Sequence, residues 1–215
     1  MLKTGNYTYD LFKTYYWQGA ELEGAKQMPK LSGTRHLPLN PVSFTERNNV
    51  NPAEHTLDFF IYDYLFECIW SNADKYIPML RKFSNVITTD YSMYPEMLPA
   101  QREWNCMRNR VMAYYMQING IRIIPVASWH SPEDFSWCFD GLPCESTIAI
   151  SNNGCLEDSQ SREIFLQGAK ELQKAKQPYR LVICGKEMPE LASYSNIIYY
   201  PSYAERLKAK LNNLS

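Results

Sequence analysis

Along this 215-residue chain the hydrophobic pattern switches period repeatedly after residue 56. Short runs rich in β-branched and aromatic residues occur at 57–64 (LDFFIYDY), 85–91 (NVITTDY), 121–128 (IRIIPVAS), 146–151 (STIAIS), 180–185 (RLVICG) and 196–201 (NIIYYP). Each is bounded by turn-forming residues and reads as a strand. Between them, residues 72–83, 99–120, 131–142, 161–177 and 188–194 carry helical spacing. Strand, helix, strand at roughly 15 to 35 residues per repeat is the rhythm of βα units. That rhythm predicts an α/β protein with a mostly parallel sheet of about six strands and right-handed crossovers. Continuous apolar runs such as RIIPV and TIAI suit strands buried on both faces. An open doubly wound sheet and a partial TIM-like barrel both fit, and six units are too few for a complete eight-stranded barrel.

Residues 1–55 differ. Four prolines fall in three segments there (QMPKLSG, HLPLNPVSF, NNVNPAEH), together with many Asn and Ser, so this stretch reads as a partly irregular amino-terminal extension. Within it, residues 9–17 have helical spacing and aromatic weight, which predicts packing onto the α/β unit at 56–215. Charge narrows the function classes: 22 Lys and Arg against 23 Asp and Glu leave no bulk basic surface for nucleic acid or anionic membrane. No apolar stretch approaches a membrane span and the amino terminus lacks a secretory pattern, which predicts a cytosolic protein. Six cysteines without a CxxC pair, and three scattered histidines, predict neither a disulfide framework nor a zinc site.

In parallel α/β folds of either kind, ligands sit at the carboxyl ends of the strands. Asp63 and Asp90 leave consecutive strands there and form the candidate catalytic pair. Two close carboxylates repel, raising one pKa and separating acid from base roles. Tyr91 and Ser92 follow Asp90; Trp129, with an indole able to stack on a base or sugar, follows the third strand. Asn152 and Gly154 lie in the SNNG turn after the fourth strand, and Gly185 ends the fifth. All are candidate ligand-binding residues, although Asp, Asn, Ser and Gly at strand exits also cap helices and make turns. His130 is a lone histidine and reads as an exposed loop residue.

The helix after Asp90 buries a face marked by Trp104, Met107, Val111, Tyr115 and Ile118. Arg108 falls on that face, where a guanidinium needs a carboxylate or phosphate partner. Asp90 or Asp63 is the expected partner, and the pair is either a structural tie or an anion site. Arg102, nearer the helix start, is a candidate ligand contact, whereas Arg110 is expected to be solvated. No GxxxxGK[ST] phosphate loop, GxGxxG turn or GxSxG elbow occurs.

The ordered segments at 59–110, 120–129, 137–155, 162–168 and 181–185, with GAELEGAKQMPKL near the start, resemble the family catalogued as domain of unknown function 4417. That family occurs in phages, prophages and integrative conjugative elements. Its Asp–aromatic–Ser turn is matched by Asp90, Tyr91 and Ser92, and its Asn–x–x–Arg–x–Arg helix by Asn105, Arg108 and Arg110. Its Gly–Thr–His–Gly appears here as Ser151, Asn152, Asn153 and Gly154, so any role of that histidine is lost; its Tyr–Gly appears as Cys184 and Gly185. The resemblance implies a genomic setting and no reaction or cofactor. The expectation that follows is a phage or mobile-element accessory protein with a pocket for a nucleotide, nucleic acid or phosphorylated ligand. A non-enzymatic inhibitor of a host or anti-phage protein is the rival, and a DNA-binding protein of element replication or transfer comes third.

Overall fold

A computed structural model describes residues 12–212. All six expected strands form, each shorter than its apolar run, and three more precede them. The short strands β1 (Leu22–Glu23) and β2 (Met28–Pro29) pair antiparallel. Next come β3 (Val42–Ser43), β4 (Thr56–Asp58), β5 (Asn85–Ile87) and β6 (Ile123–Ile124), which form a parallel sheet in that order. A second parallel sheet holds β7 (Thr147–Ser151), β8 (Arg180–Cys184) and β9 (Ile197–Tyr200). A single parallel bridge, Val126 to Ala149, joins the two sheets.

Two expectations are corrected by this layout. Val42 and Ser43, inside the segment read as irregular, supply a strand, because Ser43 caps a 3-10 turn while Val42 drops into the core. Strand order follows chain order in both sheets, without the reversal that defines a doubly wound arrangement.

The helices are α1 (Glu67–Ser71), α2 (Ala73–Leu80), α3 (Pro99–Ile118), α4 (Ser159–Lys176) and α5 (Tyr203–Asn212). Residues 131–142 and 188–194, expected to be helical, hold only short 3-10 turns, at Pro132–Ser136 and Pro189–Leu191. In the 9–17 stretch, residues 9–11 lie outside the described part and Thr14–Tyr16 make one 3-10 turn. Pro99 opens α3, where its missing N–H costs nothing, and Gln101 accepts from Leu98 N at 2.8 Å. Asp158 caps α4 by accepting from Ser161 N at 2.8 Å.

Alternation along the strands divides the apolar residues into two clusters. Leu57, Val86, Ile123, Ile148, Leu181 and Ile183 belong to the large core beneath the helices. Ile87, Ile124, Val126, Ala149, Val182 and Cys184 form a separate inner cluster, joined by Phe60 and Tyr200. The strands are thus buried on both faces, which explains their unbroken apolar runs. Tyr200 also donates its hydroxyl to Pro38 O at 2.9 Å, tying the last strand to the segment before β3.

Helix α5 has no buried residue of its own. Arg206 reaches from it to the fully buried Asp58 of β4 at 2.7 Å, and Lys210 pairs with Glu46. Arg110, expected to be solvated, is 1% exposed. Its guanidinium donates to Val126 O at 2.9 Å, Cys138 O at 2.7 Å and Asp140 O at 2.8 Å. The i+4 spacing from Cys106 turns it inward beside that thiol, under the 138–141 turn. Gly141 lets β2 close on the same turn: its φ is +76°, and a Cβ there would come 2.4 Å from Pro29 O. Replacing Arg110 by Met strands three buried carbonyls, so unfolding free energy in urea should fall by about 3 kcal/mol or more. Loss under about 1 kcal/mol would mean that water satisfies those carbonyls instead.

Candidate functional site

The carboxyl ends of β4, β5, β6 and β7 open onto a cavity of about 690 Å³. Asp90, Ser92, Ser128, Trp129, His130 and Gly154 are among its walls, and the first turn of α5 adds Tyr203 and Ala204. Asp90 is partly open to the cavity and otherwise enclosed by protein. Ser128 Oγ donates to its Oδ1 at 2.8 Å. Burial pushes its carboxyl up to about 7; the charge of Asp63 adds to the rise and the Ser128 hydrogen bond opposes it. Near neutral pH it is poised both to donate and to accept a proton, the condition for acid/base work.

Asp63 sits behind the wall. It accepts from Ser92 Oγ at 2.9 Å and from Ser92 N at 3.1 Å, and burial raises its pKa against those hydrogen bonds. Ser92 lines the cavity, and because its hydroxyl gives its proton to Asp63 the oxygen keeps only acceptor capacity. Two asparagines one helical turn apart fix this turn from α3. Asn105 Nδ2 donates to Ser92 O at 2.7 Å, and Asn109 Oδ1 accepts from Tyr91 N at 2.8 Å. Asn109 was not singled out from the sequence. Its signal was there, as a second amide on the buried face of an amphipathic helix, four residues after Asn105.

Several expected ligand contacts are engaged elsewhere. Arg108 pairs with Glu67 of α1, not with Asp90 or Asp63, because Ser92 already occupies the Asp63 carboxylate. Its guanidinium lies 3.5 Å from the centroid of the Tyr91 ring and 5.1 Å from that of Trp70, a cation sealed between aromatic faces. Tyr91 is fully buried beneath it and cannot meet a ligand at the cavity. Arg102 is also buried, pairing with Asp134 at 3.2 Å and donating to Met97 O at 2.9 Å. Asp134 in turn accepts from His130 N and Ser131 N, so Arg102 steadies the loop carrying His130 instead of facing the cavity.

Asn152 is 1% exposed and closes on the 184–186 turn, donating to Lys186 O at 2.7 Å and accepting from Lys186 N at 3.1 Å. Gly185 permits that contact, since a Cβ there would fall 1.8 Å from Asn152 Oδ1. Both hold the turn and neither lines the cavity. Trp129 does line it. Its indole donates to Ile164 O at 3.2 Å, and its ring packs with Phe135, Phe139 and Phe165. Gly168 leaves space for it: a Cβ there would come 2.1 Å from Trp129 Cε2.

Among the described residues that line the cavity there is no lysine or arginine; Asp90 and Glu157 supply the carboxylates. No group of three or more His, Cys, Asp or Glu able to hold a metal ion occurs among the described residues. No helix there is long and apolar enough to cross a membrane.

Fold and cavity together define a mixed α/β protein with two parallel sheets and an aromatic-walled recess at their strand ends. The profile described as domain of unknown function (DUF4417) matches residues 20–201, and the chain belongs to that family. It is 30% identical over 199 residues to the Gene 1 protein of Mycobacterium phage D29, covering 88% of this chain and 72% of that protein. It is 31% identical over 196 residues to the Gene 1 protein of Mycobacterium phage L5, covering 86% and 83%. No solved structure matches.

Carbon-13 NMR titration of the aspartate side chains should place the Asp90 midpoint near 7, and Asp63→Asn should lower it by removing the neighbouring charge. A midpoint below about 5 would show that water screens the carboxyl. The raised pKa also sets a sign for stability. The folded state binds a proton that the unfolded chain has released, so stability falls as pH climbs from about 4 through the folded pKa. Asp90→Asn should therefore lose less stability than wild type between about pH 5 and about pH 8 in urea unfolding.

Proposed function

We propose that this phage-family protein holds a planar heterocycle, a nucleobase or nucleoside, in the recess at its strand ends, with Asp90 as the acid/base group. One juxtaposition supports the reading above others: a carboxyl poised near neutrality, hydrogen-bonded to Ser128, beside the indole of Trp129. Heterocycles offer mixed donors and acceptors along an edge and a face that stacks on aromatic rings. Asp90 would pair with the edge, Ser92 and Ser128 would extend the polar wall, and Trp129 would stack. Gly154, at φ +77°, would let the ligand approach backbone after β7. Phosphate groups, where the ligand carries them, would remain outside, because Arg102 and Arg108 are committed to Asp134 and Glu67.

Underlying this reading is a partial barrel. Its support is the chain-order run of parallel strands, the inner apolar cluster, and the ties from Tyr200 to Pro38 and Arg206 to Asp58. In such a fold the strand-end loops converge on one mouth.

A second reading, a modulator that binds a host or anti-phage protein, rests on Tyr62 and Tyr64. Their rings stack at 5.8 Å and are 68% and 74% exposed, and Tyr62 also belongs to the cavity rim. Exposed paired aromatics are common binding anchors.

A thermal-shift panel of nucleobases and nucleosides against wild type and Asp90→Asn tests the first reading. At about 100 Kd a ligand should add about 2.7 kcal/mol to wild type and markedly less to the folded variant. Equal shifts in both proteins, or none with any compound, would refute it.

A further inference from the structure

The recess is built for positive charge. Its described lining brings together two carboxylates, Asp90 and Glu157, with the aromatic residues Phe60, Tyr62, Tyr94, Trp129, Phe165 and Tyr203, and includes no lysine or arginine. Met93 adds a polarizable thioether. The basic side chains beside the site are turned away: Arg108 lies between Tyr91 and Trp70 against Glu67, and Arg102 against Asp134. His130 is the one lining residue able to take up a positive charge, so carboxylates outnumber cationic side chains in the described lining, beside aromatic rings whose faces carry negative quadrupoles. Aromatic faces around a carboxylate form the arrangement that binds delocalised or quaternary cations.

From this lining we propose that the group entering the recess is a planar organic cation, as an N-methylated nucleobase presents, held between aromatic faces and countered by Asp90 and Glu157. This rests on the nucleoside reading above and narrows it from heterocycles in general to charged ones. A cation supplies the counter-charge that Asp90 lacks from protein, since its neighbours are the hydroxyl of Ser128 and the like charge of Asp63. Neutral bases would still stack on Trp129, but would leave Asp90 without a counter-ion in its partly enclosed position, with Glu157 at the exposed rim.

Two pairs of isomers separate charge from shape. 1-Methyladenosine and 3-methylcytidine are protonated cations at neutral pH, while N6-methyladenosine and 5-methylcytidine carry the same heavy atoms without the extra proton and its charge. In titration calorimetry on the full chain, at least one cation should bind about tenfold or more tighter than its neutral isomer. In the Asp90→Asn/Glu157→Gln double variant, checked for folding by circular dichroism, that preference should shrink below about threefold. Neutral isomers binding as tightly as the cations would overturn the charge inference and leave the nucleoside reading intact. A preference unchanged in the double variant would also overturn it, because the carboxylates would not be its source. Failure of all four compounds, with no neutral nucleoside active in the thermal panel, would remove the nucleoside reading and this inference together.

Discussion

A guanidinium cannot shed its proton to escape burial, and Arg110 meets that constraint with three backbone carbonyls. One of them belongs to Val126, the residue whose bridge to Ala149 joins the two parallel sheets. The others belong to Cys138 and Asp140, beyond the loop that carries Trp129 and His130. A single side chain on α3 therefore ties the seam between the sheets to one wall of the recess. Thr88 accepts from Val126 N at 3.1 Å, so the seam residue is satisfied on both its polar groups. With both ends fixed, Ser128 comes to rest against Asp90.

The polar residues around the recess work at two depths. Asn105, Asn109, Arg102 and Asn152 face backbone and hold turns in place, while Asp90, Ser92 and Ser128 face space. This division explains why the sequence was informative about one layer and misleading about the other. Apolar β-rich runs and helical spacing located all six strands and the long helices, because burial on both sheet faces makes those runs nearly unbroken. The same logic put Arg108 on the inner face of α3, where it lies. Its partner was illegible: Glu67 and Asp63 both belong to the segment after β4, and only the fold decides which carboxylate a hydroxyl has already taken. Arg110 was misread as solvated because helical spacing tests for apolar neighbours and is blind to carbonyls offered by a distant turn. Residues 131–142 read as a helix because Phe135, Trp137 and Phe139 are apolar, yet they pack a loop against Trp129 and α4. The brief β3 left too short a run, two residues, for any period to show.

Charge has been distributed with the same economy. Arg102 and Arg108 are paired within the frame, with Asp134 and Glu67, while the carboxylates of Asp90 and Glu157 line the recess. At the other side of β4, Asp58 is fully buried with Arg206, and burial still raises its carboxyl to about 6 against that attraction. Burial is the first cause of the raised pKa at both aspartates.

The strand order has a kinetic side. Each strand from β4 to β9 pairs with the one made just before it, except β7, which meets the first sheet only through the Val126–Ala149 bridge, so a chain emerging from a ribosome can add units one by one with short loops to close. The final contacts are of another kind. Tyr200 to Pro38, Arg206 to Asp58 and Lys210 to Glu46 span 162, 148 and 164 residues. They can form only after the chain has been made through residues 200 to 210, and α5, which buries none of its own residues, depends on the last two. Assembly should then proceed in two stages, a rapid local zippering followed by a late docking of the carboxyl-terminal helix. Since Tyr203 and Ala204 come with that helix, the recess acquires its last wall only at the end of folding.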